Sequence, residues 1–200
     1  MDKYRIAIIG KTGVGKSSLG NYMAGDDVFM VQDISGRVTK QFSRTQVDIG
    51  GRKLVIYDTV GFYDSKEGNS LPADDLRKAC KDEGEGFHAF LYLVNTQAEQ
   101  DAIRTFRAIK KKHGDGIVSY IILVLNRVQG SVKTSLKESN ELNRIHISAG
   151  RRTIGVRCRS WKAVHKTERD ETCQTILRLV QHISHAHNNE PYRKGFFKMM

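Results

Sequence analysis

The amino-acid sequence predicts a three-layer α/β domain with a mostly parallel sheet, one antiparallel edge strand and helices on both faces. Short apolar runs alternate along the chain with segments of helical periodicity, which is typical of parallel strands joined by helices. In addition, Gly50-Gly51 separates two strand-like arms, which is the signal of a tight hairpin and therefore of one antiparallel pair.

The predicted elements follow one another in a simple order. Residues 4–9 form a buried strand, a helix opens at Ser17, and residues 25–36 form a long polar loop. The later strands are predicted at the remaining apolar or alternating runs, namely residues 41–49, 53–57, 89–94 and 120–125. Apolar stripes at helical spacing predict two further helices, one across residues 98–109 and one across residues 173–183.

The composition indicates the type of protein and the compartment in which we expect it. The 200 residues are 39% hydrophobic and 28% charged, which suits one globular domain, expected over residues 1–190 with a C-terminal tail over 191–200. No run approaches the roughly 20 apolar residues that a membrane-spanning helix needs. Three scattered cysteines form no disulfide framework. We therefore expect a cytoplasmic protein, with peripheral contact on intracellular membranes left open.

The charge is unevenly distributed. The chain carries 33 Lys and Arg against 22 Asp and Glu, a formal charge of +11. Residues 1–100 hold 13 basic and 14 acidic side chains, whereas residues 101–200 hold 20 and 8. A basic half can contact an anionic membrane or nucleic acid, or be an ordinary solvated surface. Because no aromatic residues are interleaved with the charges, nucleic acid is the less favoured partner.

A complete phosphate-binding motif follows the first strand, with the sequence Gly-Lys-Thr-Gly-Val-Gly-Lys-Ser over residues 10–17. Its glycines let the backbone wrap around phosphates, and the N–H groups of residues 13–18 point at an anion from a helix N-terminus. Lys16 is expected on the β- and γ-phosphates and the Ser17 hydroxyl on Mg²⁺. The residues expected to line the nucleotide here are Gly10, Thr12, Gly13, Val14, Gly15, Lys16, Ser17 and Ser18.

A second motif supports a nucleotide site of the GTPase type. The hydrophobic run of residues 53–57 ends in Asp58-Thr59-Val60-Gly61, a DxxG pattern about 40 residues after the phosphate loop. An acid at such a strand end can hold Mg²⁺, and the Gly61 N–H can reach the γ-phosphate. The sequence therefore predicts a P-loop NTPase domain of the GTPase type that binds GTP or GDP with Mg²⁺.

Three segments resemble one family, the immunity-associated GTPases of the AIG or GIMAP type, relatives of the septins and the chloroplast import GTPases. The segments are GKTGVGKSSLGNYMAGDDVF, SGRVTKQFSRTQVDIGGRKLVIYDTVGFYD and GFHAFLYLVN. The resemblance implies that Thr39 ligates Mg²⁺ and senses the γ-phosphate. Once Thr39 is included, the predicted metal ligands are Ser17, Thr39 and Asp58. The predicted catalytic residues are Lys16, Thr39 and Gly61.

The base-reading residues depart from the usual pattern. Guanine is normally read by an NKxD-type motif after the fifth strand, but this chain has Asn126-Arg127-Val128-Gln129 there. A neutral amide at Gln129 loses a charge-assisted pair worth roughly 1.5–3 kcal/mol. We expect Asn126, Arg127 and, by position in the last base loop, Ser160 near the base. The choice between guanine and adenine stays open.

Hydrolysis is expected to be slow. Small regulatory GTPases often place a water-positioning Gln directly after DxxG, whereas this chain has Phe62, which cannot polarise water. The resemblance implies face-to-face assembly of two nucleotide-bound domains. Arg37 is a candidate to act in cis or across such a dimer.

The functional prediction is a GTP-dependent switch or self-assembling scaffold, with a nucleotide-dependent homo-oligomer or a protein partner. Two alternatives remain. One is a nucleotide-promiscuous or degenerate pseudo-GTPase that binds through its basic surface, and the other is an ATP-using P-loop protein. The DxxG element argues against the latter.

Overall fold

The computed structural model describes residues 3–30, 43–59, 61, 86–97, 99–128, 130–157 and 161–193. Its centre is a six-stranded sheet in the order β2-β3-β1-β4-β5-β6. The strands are β1 (Lys3–Ile9), β2 (Ser43–Ile49), β3 (Arg52–Asp58), β4 (Ala89–Asn95), β5 (Ile121–Asn126) and β6 (Thr153–Val156). All pairs are parallel except β2 with β3, which confirms the predicted fold class and its single antiparallel edge strand.

The edge hairpin forms where the glycine pair predicts it. Gly50 and Gly51 have φ values of 60° and 77°, a conformation that other residues adopt only with strain. Val47 pairs with Leu54 across the turn. Side chains of β2 alternate between partly buried and exposed, as expected for a strand that covers the sheet on one face only.

In the described part of the chain, five α-helices connect and cover these strands: α1 (Lys16–Ala24), α2 (Glu99–His113), α3 (Val132–Glu138), α4 (Asn140–Ser148) and α5 (Lys166–Ala186). Helix α1 packs against α5, and α2 packs against α4. Parallel strands require crossover connections, and these place helices on both faces of the sheet. The three central strands β1, β4 and β5 are almost wholly buried between these two groups.

Local signals explain where several helices begin and end. Helix α2 ends in Lys110, Lys111, Lys112 and His113, whose charge suits the negative end of a helix dipole, and Gly114 follows with a φ of 85°. Ser131 and Ser139 cap α3 and α4 by accepting hydrogen bonds from backbone N–H groups. Strand β6 was not predicted from the sequence, because a run of only four residues carries too short a pattern to stand out.

The chain returns to the sheet after α5. Tyr192 forms an antiparallel bridge with Phe87, and its hydroxyl donates a 2.5 Å hydrogen bond to the carbonyl oxygen of His113. Its side chain is 4% exposed. This contact docks residues 191–193 against the end of α2, and residues 194–200 lie outside the described part of the chain. Within the described residues, no helix has the length and apolar character to cross a bilayer.

Candidate functional site

The predicted motifs meet at one edge of the sheet. Strands β1, β3 and β5 are parallel neighbours or near neighbours, and their carboxyl ends are Ile9, Asp58 and Asn126. The phosphate loop therefore starts beside the DxxG acid and beside the asparagine of the base motif. Such an edge is where α/β sheets bind ligands, because the loops leaving the strands enclose a crevice there.

The glycines of the phosphate loop are required by conformation and by close approach. Gly10, Gly13 and Gly15 have φ values of 152°, 77° and 101°. A Cβ atom on Gly10 would lie 2.5 Å from the Leu93 carbonyl oxygen, and one on Gly15 would lie 2.8 Å from Asn126 Nδ2. Gly13 faces open space. The loop is therefore held tightly against β4 and β5 at two points and is open at the third.

Lys16 lies inside the loop. Its side chain is 7% exposed, and Nζ donates a 3.1 Å hydrogen bond to the carbonyl oxygen of Lys11 at the far side of the loop. The ammonium group is therefore placed across the concave side of the loop, where consecutive N–H groups at the start of α1 favour an anion.

Ser17 and Asp58 form the polar centre of the site. Ser17 Oγ donates a 2.6 Å hydrogen bond to Asp58 Oδ2, and Asp58 is fully buried. Burial raises the pKa of this carboxyl, while the Ser17 hydrogen bond and the Lys16 charge act in the opposite direction. Among the described residues, nothing donates a hydrogen bond to Asp58 Oδ1.

The donor set fits Mg²⁺. This ion prefers oxygen ligands and is commonly held by one or two carboxylates together with substrate phosphates. A buried carboxylate oxygen that has no described partner, beside a serine hydroxyl, offers such ligands next to the phosphate loop. Ser17 and Asp58 are the described residues that would hold it.

Two further residues of the DxxG motif, Thr59 and Gly61, contact β1 and the phosphate loop. Thr59 Oγ1 donates a 2.7 Å hydrogen bond to the Ile8 carbonyl oxygen, which fixes the end of β3 against β1. A Cβ atom on Gly61 would lie 2.5 Å from Thr12 N. Only glycine allows this approach, so the structure brings together the two motifs that the sequence placed 40 residues apart.

Asn126 supports the phosphate loop from the β5 side. Its Nδ2 donates a 2.9 Å hydrogen bond to the Val14 carbonyl oxygen, and its Oδ1 accepts one of 2.9 Å from Arg127 N. Arg127 itself is exposed and has a φ of 60°. This left-handed conformation at Arg127 turns the chain directly after β5.

A sequence model of the AIG1 family matches residues 4–200. The chain belongs to the AIG1 family. Immune-associated nucleotide-binding protein 7 of Arabidopsis thaliana is 32% identical over 143 residues, which cover 68% of this chain and 44% of that protein. GTPase Der of Wolinella succinogenes is 30% identical over 125 residues, or 62% of this chain and 25% of that protein. The AIG1 chain thus spans less than half the length of these curated relatives.

Solved structures show the same fold. Toc33 from Arabidopsis thaliana superposes with a TM-score of 0.64 at 20% identity, covering 97% of the AIG1 chain and 87% of Toc33. Era in complex with MgGDPNP and ribosomal RNA gives a TM-score of 0.65 at 20% identity, covering 89% of the AIG1 chain and 57% of Era. These likenesses establish the P-loop GTPase fold and confirm the predicted fold type. The family resemblance is confirmed by the AIG1 match over residues 4–200.

Two contacts of this AIG1 domain were not predicted from sequence. Lys11 Nζ pairs with Asp101 Oδ2 at 2.6 Å, which ties the phosphate loop to α2 and lowers the pKa of Asp101. Asp27 accepts a 2.7 Å hydrogen bond from Trp161 Nε1 and pairs with Lys162 Nζ at 2.7 Å. Each joins charged or polar residues far apart in sequence, so neither spacing nor periodicity could have indicated it.

The second contact concerns the predicted base loop. Residues 161–163 form a short 3-10 turn after β6, and Asp27 follows α1 at the start of the predicted long loop. Both partners lower the pKa of Asp27, with the Lys162 hydrogen bond contributing most. The contact links the turn after β6 to the residues that follow α1.

Some predicted residues lie outside the described part of the chain. They are Arg37, Thr39, Phe62, Gln129 and Ser160. Their proposed roles remain predictions from sequence and from the family resemblance.

Proposed function

We propose that this AIG1 domain binds GTP or GDP with Mg²⁺ and works as a slow, GTP-dependent switch or self-assembling scaffold. One observation carries the proposal. Gly61 approaches Thr12 so closely that only glycine fits, while Asp58 of the same motif contacts Ser17. The nucleotide cradle and the γ-phosphate sensor are thus physically joined, as a switch requires.

Each residue then has a distinct role. Backbone N–H groups of residues 13–18 and the Lys16 ammonium hold the phosphates. Ser17, Asp58 and, from the family resemblance, Thr39 hold the Mg²⁺, which when bound neutralises charge on the phosphates. The Gly61 N–H donates to the γ-phosphate. Loss of that phosphate releases the segment after Gly61, so the surface available to a partner changes with the nucleotide.

Slow hydrolysis follows from the residue after the sensor. Phe62 has no polar atom with which to position water, so we propose that the unaided reaction is slow. A second nucleotide-bound copy or a protein partner would then provide stimulation, with Arg37 as one candidate. Support comes from a neighbour in fold, since dimerization is described as important for the GTPase activity of Toc33 and Toc159.

Base recognition is the part of the site that departs most from the usual pattern. We propose that Arg127 and Ser160 flank the base while Asn126 supports the loop beneath it. With Gln129 in the acid's position, selectivity for guanine over adenine is expected to be modest. We further propose a cytoplasmic location, with peripheral contact on intracellular membranes.

The decisive experiment is equilibrium binding of a fluorescent GDP analogue with Mg²⁺, competed separately by GTP, GDP and ATP. The Lys16→Ala variant is the control for the phosphate site, and Lys133→Ala removes an exposed lysine elsewhere. We expect GTP and GDP to displace the analogue better than ATP, and Lys16→Ala to abolish binding while Lys133→Ala does not.

Other results would favour the alternatives. Equal competition by ATP would indicate a nucleotide-promiscuous site or an ATP-using protein. Absence of binding by a folded wild-type protein would indicate a degenerate pseudo-GTPase and would overturn the proposal.

A further inference from the structure

Helix α2 presents a basic stripe to solvent. Arg104, Arg107 and Lys111 are exposed and follow one another at i, i+3 and i+7, so they lie on one face of the helix. The opposite face is buried through Ala102, Phe106 and other apolar residues. None of the three cations forms an ion pair with a described residue.

Helix α4 continues the same surface. It packs beside α2, and its exposed side includes Arg144 and Ile147, with Arg151 in the turn that follows. These three residues again have the spacing i, i+3 and i+7. Ile147 is 53% exposed, and together with Val28 and Met30 it is one of the exposed large hydrophobic residues in the described chain.

This pair of stripes, the α2–α4 face, consists of Arg104, Arg107, Lys111, Arg144, Ile147 and Arg151. The exposed side chains described on α2 and α4 include no carboxylate. The acidic side chains that are described on these helices, Asp101 and Glu141, are partly buried, and Asp101 is paired with Lys11. The exposed charge of the α2–α4 face is therefore positive, although Asp101 is close enough to Arg104 for the two charges to attract each other.

The two ends of the face have different surroundings. At its start, Asp101 contacts the phosphate loop through Lys11. At its end, Tyr192 is hydrogen-bonded to His113, so the chain passes the last turn of α2 before its final residues. Between these two ends, the cations of α2 are exposed to solvent.

We propose that the α2–α4 face docks the domain onto an anionic lipid bilayer. Arginine and lysine near a membrane are attracted by the negative surface potential, and their contributions accumulate over a flat array. Ile147 adds an apolar contact at the centre of the α4 stripe, as interfacial helices do. Charge complementarity alone would also suit RNA, but the face exposes no aromatic side chain on which bases stack.

This inference rests on the peripheral membrane contact proposed above, but it does not depend on nucleotide binding. The test is co-sedimentation of the full 200-residue chain with vesicles of phosphatidylcholine containing about 30% phosphatidylserine, beside vesicles of phosphatidylcholine alone. Binding of poly(U) RNA is measured in parallel by fluorescence anisotropy. Fluorescent GDP binding is measured on each preparation.

Three variants make the test specific. The face variant combines Arg104→Ser, Arg107→Ser and Lys111→Ser, and it should lower the vesicle partition coefficient about 100-fold. A matched control combines Lys53→Ser, Lys166→Ser and Arg178→Ser, which removes three exposed cations from β3 and α5 and should change partition little. Ile147→Gln should lower vesicle binding about fivefold without affecting RNA binding.

The expected result is binding that requires phosphatidylserine, weakens with added salt and is lost in the face variant only. Equal loss in the charge-matched control, or tighter binding to poly(U) than to vesicles, would overturn the inference. So would failure of the wild-type chain to bind vesicles while it still binds fluorescent GDP. Loss of GDP binding with vesicle binding retained would instead count against the proposed function alone.

Discussion

Ser17 Oγ lies 2.6 Å from Asp58 Oδ2, so the last residue of the phosphate motif is hydrogen-bonded to the first residue of the DxxG motif. Asp58 is completely buried, and its second carboxylate oxygen has no partner among the described residues. Burial of this group is unfavourable for the free domain, because it disfavours the ionised carboxylate. A divalent cation at this site would offset that penalty, because it favours the ionised carboxylate.

The Asp58→Asn variant tests whether burial of this carboxylate lowers stability and supports Mg²⁺ binding. In the nucleotide-free domain, the free energy of unfolding should rise by about 1 kcal/mol, because a buried group that must ionise is replaced by a neutral one. The raised pKa of Asp58 means that wild-type stability falls as pH rises through that pKa, and the variant should lack this fall. The stimulation of nucleotide binding by Mg²⁺ should weaken at least tenfold.

The measurements are urea denaturation between pH 4 and 8 and nucleotide titrations with and without Mg²⁺. Asp48→Asn, at an exposed position on the edge strand, is the control. A variant that is less stable and still responds fully to Mg²⁺ would contradict this account of the site.

Gly61→Ala tests the contact between the sensor and the phosphate loop. The added methyl group would lie 2.5 Å from Thr12 N, so either motif must move. We expect GTP affinity to fall about 10- to 100-fold, with a smaller loss for GDP, because the sensor acts on the γ-phosphate. Gly116→Ala is the control, since its Cβ would have an ordinary contact with Tyr192 at 3.7 Å. Equal losses for both nucleotides would mean that the effect is on the loop alone.

His88 should make the domain sensitive to acid. It is fully buried directly before β4, and its Nδ1 accepts a 3.0 Å hydrogen bond from Arg5 N. Burial, reinforced by the nearby Arg5 charge, lowers the pKa of His88 to about 4. Because the folded pKa is depressed, the stabilisation is fully present above pH 6.5 and is lost as pH falls toward 4, by about 3 kcal/mol in total.

The matched variant is His88→Asn, which keeps an acceptor for Arg5 N but does not titrate in this range. Its denaturation midpoint should change less between pH 7 and pH 4 than that of the wild type. The exposed His182→Asn variant should behave like the wild type. Parallel pH profiles for wild type and His88→Asn would show that another group causes the acid sensitivity.

Tyr192 should contribute strongly to stability although it lies beyond residue 190. Tyr192→Phe removes the hydrogen bond to the His113 carbonyl and should cost about 1 kcal/mol. Tyr192→Ala also removes the ring that packs against Phe90 and Tyr120, and should cost about 3–5 kcal/mol. Thermal unfolding of these variants and of a chain ending at residue 190 measures the effect. If the truncated chain were as stable as the full one, Tyr192 would be a surface contact only.

Trp161 provides a direct optical test of the Asp27 contact, because it is the chain's single tryptophan. Asp27→Asn weakens the hydrogen bond from Trp161 Nε1 and removes the pairing with Lys162. We expect Trp161 to become more accessible to acrylamide quenching and its emission to shift to longer wavelength. Asp48→Asn, at an exposed position on β2, is the control and should leave the spectrum unchanged.

The local elements of this domain could be predicted well from sequence because their determinants are local. The Gly-rich motif, the apolar runs and the glycine pair each specify a short conformation through sterics and periodicity, and the family resemblance joined them into one fold. Strand β6 was not predicted, since Thr153–Val156 spans only four residues.

The contacts between elements required the tertiary structure. The sequence determined that a phosphate loop and a sensor exist, but only folding brought Gly61 against Thr12 and Ser17 against Asp58. The same holds for the Lys11–Asp101 and Trp161–Asp27 contacts and for the alignment of the cations of α2 with those of α4. Such pairings depend on strand order and helix packing, which are collective properties of the whole chain and leave no signature in the spacing of nearby residues.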